Sequence, residues 1–193
     1  VNAKQKVLAA AEELFAEQGY DATSVQQVVD RAGVTKGAMY HYFSSKEDLL
    51  FDLYHELFVE QLAGLDRIVA QQTDPVTTIR EIIDDLVITT AARTRAVTIF
   101  GREGSRFLGK ERFLTLQTEW RRYQDTVRKV IRDAQLSGEF TSAASPEVIS
   151  WAIFGFTNDL HTWYRPDGPK PPAVIAKELT DFVLNGLMAK EQA

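Results

Sequence analysis

Apolar residues recur every three to four positions along almost the whole chain, and no stretch alternates residue by residue. A period of 3.6 buries one face of an α-helix, whereas a half-buried strand needs a period of two. Near the start, Val7, Leu8, Ala11, Leu14 and Phe15 follow the i, i+1, i+4, i+7, i+8 spacing of one buried stripe. The fold class expected is all-α, with about nine helices.

Helix ends can be read from their punctuation. Gly19 in "EQGYDATS" stops the first helix, because glycine is favoured just past a C-terminus. Ser24 caps a second helix, "VQQVVDRA", which stops at Gly33. Thr35 caps a third over 36–42. Ser44 or Ser45 caps a fourth, with Glu47 and Asp48 in the first turn, where the helix dipole favours acids. It is expected to run to about Gln72. "TDP" (73–75) breaks the pattern and starts a helix to about Arg93, followed by a less regular stretch near "FGREGSRFLG". A long helix covers about Glu111 to Leu136. Ser145, Pro146 and Glu147 signal another start, and "WYRPDGPKPP" forbids continuation. A last helix covers about 172–189. No repeat or low-complexity segment occurs.

Composition excludes several classes. No window approaches the roughly 18 uncharged apolar residues of a membrane span. With no cysteine there is no disulfide and no thiolate metal site, which fits the cytoplasm. The N-terminus "VNAKQKVLAAAEELF" is amphipathic and carries acids, unlike a signal peptide. The chain opens on Val1 rather than methionine, which leaves room for a short preceding segment. There is no phosphate loop, no Gly-x-Ser-x-Gly and no His-Glu-x-x-His. His41, His55 and His161 have no ligand-like spacing. No catalytic residue, metal or cofactor is expected. A helical scaffold protein is the other non-enzyme reading.

The sharpest local signal is "VTKGAMYHYFSSKEDLL" (34–50). A glycine inside a helix costs about 1 kcal/mol against alanine, yet Gly37 sits in the short third helix. Helices two and three are joined by "AGVT", a tight glycine-bearing turn, as in a helix-turn-helix. The second helix of such a unit enters the DNA major groove N-terminus first. Gly37 would then permit close approach. Lys36 can reach a phosphate or guanine, and Ala38 a thymine methyl. Tyr40, His41 and Tyr42 can donate to phosphates, while Met39 and Phe43 pack inward with Val34. Lys46 and the amides opening helix four offer another anion site. The net charge is −5, but from Arg31 to Lys46 there are three bases and no acid.

The string "TSVQQVVDRAGVTKGAMYHYFSSKEDLL" resembles the DNA-binding signature of the TetR family of bacterial transcriptional regulators. The resemblance implies a three-helix DNA-binding domain, residues 1–48, and a ligand-binding and dimerisation domain, residues 49–193. It implies a homodimer on palindromic double-stranded DNA, released by a small hydrophobic effector. By position, base-reading roles fall on Gln26, Thr35, Lys36, Gly37 and Ala38. Phosphate contacts fall on Ser24, Tyr40, His41, Tyr42 and Lys46. Gln26 and Gln27 stand where a basic–acidic pair is common, so no operator sequence is transferred.

"WYRPDGP" and "RAVTIFGREGSRFLGKERFLTLQTEWRRYQDTVRKVI" resemble a subgroup responding to acyl-CoA thioesters in fatty-acid and sterol catabolism. Nine bases against four acids from Arg102 to Arg132 could meet CoA phosphates, or form a solvated face. Arg165 is read as capping carbonyls. Candidate effector contacts are Phe100, Phe107, Phe113, Trp120, Trp151, Phe154 and Asn158, with Phe156 beside them. Phe154 and Asn158 stand where a sterol-CoA-responsive member carries arginine and tryptophan, which weighs against a steroid more than against a plain acyl chain. A multidrug or other hydrophobic effector is the alternative. Two apolar stripes suit a dimer interface: Val148, Trp151, Ala152 and Gly155 in one; Ile175, Leu179, Phe182, Val183 and Leu187 in the other, with Gly186 allowing close approach. Core packing within one subunit is the competing use.

Overall fold

The computed structural model describes residues 2–187. Its described residues form ten α-helical segments and one 3₁₀ turn, with no β-sheet. The helices are α1 (Ala3–Gln18), α2 (Val25–Ala32), α3 (Lys36–Tyr40), α4 (Lys46–Ala70), α5 (Pro75–Ala92), α6 (Thr94–Phe107), α7 (Leu114–Ser137), α8 (Pro146–Asn158), α9 (Leu160–Trp163) and α10 (Pro172–Leu187). The 3₁₀ turn is Glu111–Phe113. No described helix is long and apolar enough to cross a membrane.

The caps sit where the side chains predict them. Ser24 and Thr35 accept from Gln27 N and Ala38 N, and Ser145 accepts from Val148 N. Ser45, not Ser44, caps α4, accepting from Asp48 N at 3.1 Å. Gly33 adopts φ +65°, the left-handed region, and turns the chain between α2 and α3.

Two departures from expectation occur, the first with its cause in packing. The stretch near "FGREGSRFLG" is regular helix through Phe107. There Val97, Ile99 and Phe107 are buried, and Gly104 lies close under the Phe100 ring, so packing outweighs the glycine cost. The helix starting at Pro146 breaks at Asp159 rather than reaching the proline-rich corner. The last helix is described to Leu187; positions 188 and 189 lie outside the described residues.

The chain divides into two compact units. The first comprises residues 1–58 and 93–117, the second 59–92 and 118–193. In the first, α1–α3 and the start of α4 bury Val7, Leu14, Phe15, Val28, Met39, Phe43 and Leu50. The second is centred on α5, which packs against α8, α9 and α10. Its core includes Ile79, Ile83, Leu86, Tyr123, Ile131, Ile153, Phe154 and Leu184. Arg165 donates to the carbonyls of Thr162 and Tyr164 at 3.2 and 2.9 Å, the capping role expected.

Gly33 sets the angle between α2 and α3. Replacing it with alanine forces a Cβ into the left-handed region, at a cost of about 1–2 kcal/mol. Gly33→Asn, which tolerates that region, should lose less. Urea melts of the two variants check the order.

Candidate nucleic-acid interface

The helix-turn-helix lies within the first unit and is held by few contacts. α3 has five residues. Met39 is its buried anchor, at 0% exposure, and Phe43 follows at 2%. The rest of the segment faces solvent. Thr35, Lys36, Gly37, Tyr40, His41 and Tyr42 are exposed, and Ala38 is half-buried. Tyr40 and Tyr42 keep about half their surface open, at 51% and 47%. His41 and Tyr42 pack edge to face at 4.8 Å.

Hydrogen bonding leaves this face able to donate. Thr35 Oγ1 accepts from Ala38 N at 3.1 Å, and Ser24 Oγ from Gln27 N at 3.2 Å. A hydroxyl that accepts in a cap still has its own proton to give. Gln26 spends one amide hydrogen on Asp30 Oδ1 at 2.7 Å and keeps its carbonyl and second hydrogen. Lys36 has no ion pair among the described residues.

The other two bases of the acid-free window are engaged. Arg31 pairs with Glu13 and Glu17 at 3.1 and 3.4 Å. Lys46 Nζ donates to the carbonyls of Tyr20 and Thr23 at 2.6 and 2.8 Å and lies over the Tyr20 ring. Partial burial lowers its pKa. The structure thus gives Lys46 the job of closing the α1–α2 loop. The opening turn of α4, read as an anion site, holds its own acids: Asp48 accepts from Ser44 N and pairs with Arg112.

Gly37 has no packing reason to be glycine. A Cβ there would meet only Thr35 Oγ1, at an ordinary 3.8 Å. It lies on the open side of α3.

Long-range pairs that no local pattern signals tie α6 and the 3₁₀ turn to this domain within the first unit. Arg102 donates to Ala16 O, Arg106 pairs with Asp21, Lys110 with Glu47 and Arg112 with Asp48, at 2.6–2.9 Å. Tyr54 donates its hydroxyl to Ile99 O at 3.2 Å. Further on, Arg122 pairs with Asp66, Arg128 with Asp125, Lys129 with Asp133 and Arg132 with Glu147. Eight of the nine bases between 102 and 132 therefore have a partner among the described residues.

The seven candidate effector contacts fall in two places. Phe107 and Phe113 are fully buried in the first unit, in an aromatic cluster with Tyr20 and Tyr54. Phe100 packs on Tyr54 and Phe58 in the same unit. In the second unit Trp120 and Phe154 meet at 5.4 Å, both against Tyr123. Trp151 points outward at 58% exposure. Asn158 is half-buried, its carbonyl 2.6 Å from His161 Nδ1.

The stripe on α8 is exposed at Val148, Trp151, Ala152, Gly155 and Phe156. On α10, Phe182 and Gly186 are exposed, Leu179 and Val183 half-buried, and Ile175 and Leu187 buried. Between them runs an apolar groove of about 500 Å³, lined by Val148, Ala152, Phe156, Phe182, Val183 and Gly186, among others.

A tight glycine turn between two short helices, with the second helix open to solvent along its donor-bearing side, defines a helix-turn-helix DNA-binding protein. This chain belongs to the TetR family of bacterial transcriptional regulators. Residues 7–53 match the family described as "Bacterial regulatory proteins, tetR family", and residues 72–187 match "Tetracyclin repressor-like, C-terminal domain". It is a transcription regulator, not an enzyme. Over 189 residues it is 30% identical to the HTH-type transcriptional repressor KstR2 of Rhodococcus jostii (strain RHA1), covering 95% of this chain and 90% of that one. The fold matches the ketosteroid transcriptional regulator KstR2 of Mycobacterium tuberculosis with TM-score 0.92, at 23% identity over 98% of this chain and 96% of the other. It also matches AibR in complex with isovaleryl coenzyme A and operator DNA, with TM-score 0.82, at 22% identity over 94% and 97%.

Two substitutions separate fold from recognition. Gly37→Ala should raise stability by up to about 1 kcal/mol and still weaken operator binding. Lys36→Ala should leave the melting curve unchanged and cost about 1–3 kcal/mol of operator affinity. Thermal melts and DNA titrations on the same samples check both.

Proposed function

We propose that this protein is a cytoplasmic repressor that binds a palindromic operator as a homodimer and leaves it when a small hydrophobic effector binds. The carrying observation is the α3 face: Thr35, Lys36 and Gly37 stand open while Met39 alone anchors the helix. Residues 1–48 read DNA; residues 49–193 take the effector and dimerise. Gln26, Thr35, Lys36, Gly37 and Ala38 read bases, while Ser24, Tyr40, His41 and Tyr42 contact phosphates. Lys46 joins the phosphate contacts if DNA draws it from the carbonyls of Tyr20 and Thr23.

The effector proposed is an acyl-CoA thioester of lipid catabolism. The likeness to KstR2 and to AibR with its bound isovaleryl coenzyme A supports this. A plain hydrophobic effector is the second reading, favoured by the pairing of eight of the nine bases that CoA phosphates would need. In either case the effector acts by binding the DNA-free state more tightly than the DNA-bound one. It changes the spacing of the two recognition helices through α4.

A second copy of the chain fits the α8–α10 groove. Its apolar lining is continuous, and one helix-turn-helix reads too few base pairs to define a gene. Phe182→Glu should give monomers in light scattering and lose the palindromic site. Selection of genomic fragments by the protein, with and without long-chain acyl-CoA, tests the whole reading. A palindrome released by acyl-CoA supports it. A palindrome that survives acyl-CoA removes that ligand, and no enriched fragment removes the repressor.

A further inference from the structure

Asp30 stands where an acid does little for the fold. It lies in the last turn of α2, where the helix dipole opposes a negative charge. Arg31, next to it, is engaged by Glu13 and Glu17 of α1. Among the described residues the Asp30 side chain has a single partner: its Oδ1 accepts from Gln26 Nε2 at 2.7 Å. An exposed pair of this kind, one turn apart, supports a helix only slightly.

The two side chains share one open flank of α2. Val28 and Val29 face the core, and Arg31 turns toward α1 on the Val28 side. Gln26 and Asp30, four residues apart, lie on the Val29 side and are both exposed.

Asp30 fixes which way the Gln26 amide points. A carboxylate only accepts, so the amide nitrogen must face it and the carbonyl must turn away. One of the two Nε2 hydrogens is then occupied. What Gln26 still offers is one donor beside one acceptor. In the major groove adenine presents the complement, an acceptor at N7 next to a donor at N6. Guanine presents two acceptors, N7 and O6. A free glutamine can meet both with its two hydrogens, but Gln26 tied to Asp30 cannot. The Asp30 charge also repels the guanine lone pairs.

We propose that Gln26 reads an adenine in each operator half-site, and that Asp30 is the positioning residue that makes it reject guanine. This rests on the functional reading above for the contact between α2 and DNA. The identity of the base comes from the donors and acceptors that Asp30 leaves on Gln26.

The test is a base-preference profile. A fragment selected by the wild-type protein is resynthesised with each of the four bases at every position of a half-site. The variants compete for wild type, Gln26→Ala, Asp30→Ala and Asp30→Glu. Wild type should prefer adenine to guanine by roughly tenfold or more at one position, as a bidentate contact does. Gln26→Ala should flatten that position and no other. Asp30→Ala keeps the glutamine but frees its second hydrogen, and should lower the adenine-to-guanine ratio by about fivefold or more. Asp30→Glu keeps a carboxylate one turn from Gln26 and should restore the ratio. Removing an acid strengthens binding to all sequences alike, so the ratio is the readout rather than the affinity. A merely structural Asp30 would shift the thermal melt or the overall affinity and leave the profile alone. A Gln26-dependent base other than adenine overturns the proposal, as does a ratio unchanged in Asp30→Ala. A palindrome with no position that responds to Gln26→Ala overturns it and leaves the repressor standing. No enriched fragment removes both.

Discussion

A five-residue helix cannot hold itself together in water. Nucleation costs several fixed dihedrals for each hydrogen bond gained, and isolated helices shorter than about 12 residues are marginal. α3 exists because Met39 is driven into the core made by α1, α2 and the first turns of α4. Thr35 adds a cap at one end. Every exposed side chain on that helix takes its position from this one buried residue. Most of the surface of α3 is left open to solvent.

Charge is arranged around the same constraint. A protein of net charge −5 does not attract nucleic acid by bulk electrostatics. Placement must do the work. Arg31 is drawn to acids on α1, and Lys46 is turned inward to carbonyls. Lys36, at the open end of α3, has no ion pair among the described residues. Arg106, Lys110 and Arg112 pair with Asp21, Glu47 and Asp48.

The second unit sorts its helix faces by a different rule. α8 turns Ile153, Phe154 and Thr157 inward and leaves Trp151, Gly155 and Phe156 outside. α10 does the same with Ala176, Thr180 and Leu184 against Phe182 and Gly186. Both faces are apolar, so hydrophobicity alone does not say which is core. A soluble chain rarely leaves a continuous apolar surface open without a use.

What the sequence determined by itself is local. The α-helical period, the caps Ser24, Thr35 and Ser145, and the left-handed Gly33 all follow from interactions within four or five residues. The helix-turn-helix was legible for that reason. Contacts between distant residues were decided by tertiary structure. The regular helix through Gly101 and Gly104 and the inward turn of Lys46 depend on neighbours remote in sequence. So do the pairing of Arg106, Lys110, Arg112, Arg122 and Arg132 and the burial of Asp85 Oδ2 against Gly64. The physical reason is range. A cap or a period is satisfied within one turn of helix, but an ion pair or a buried polar cluster needs partners that only folding brings together.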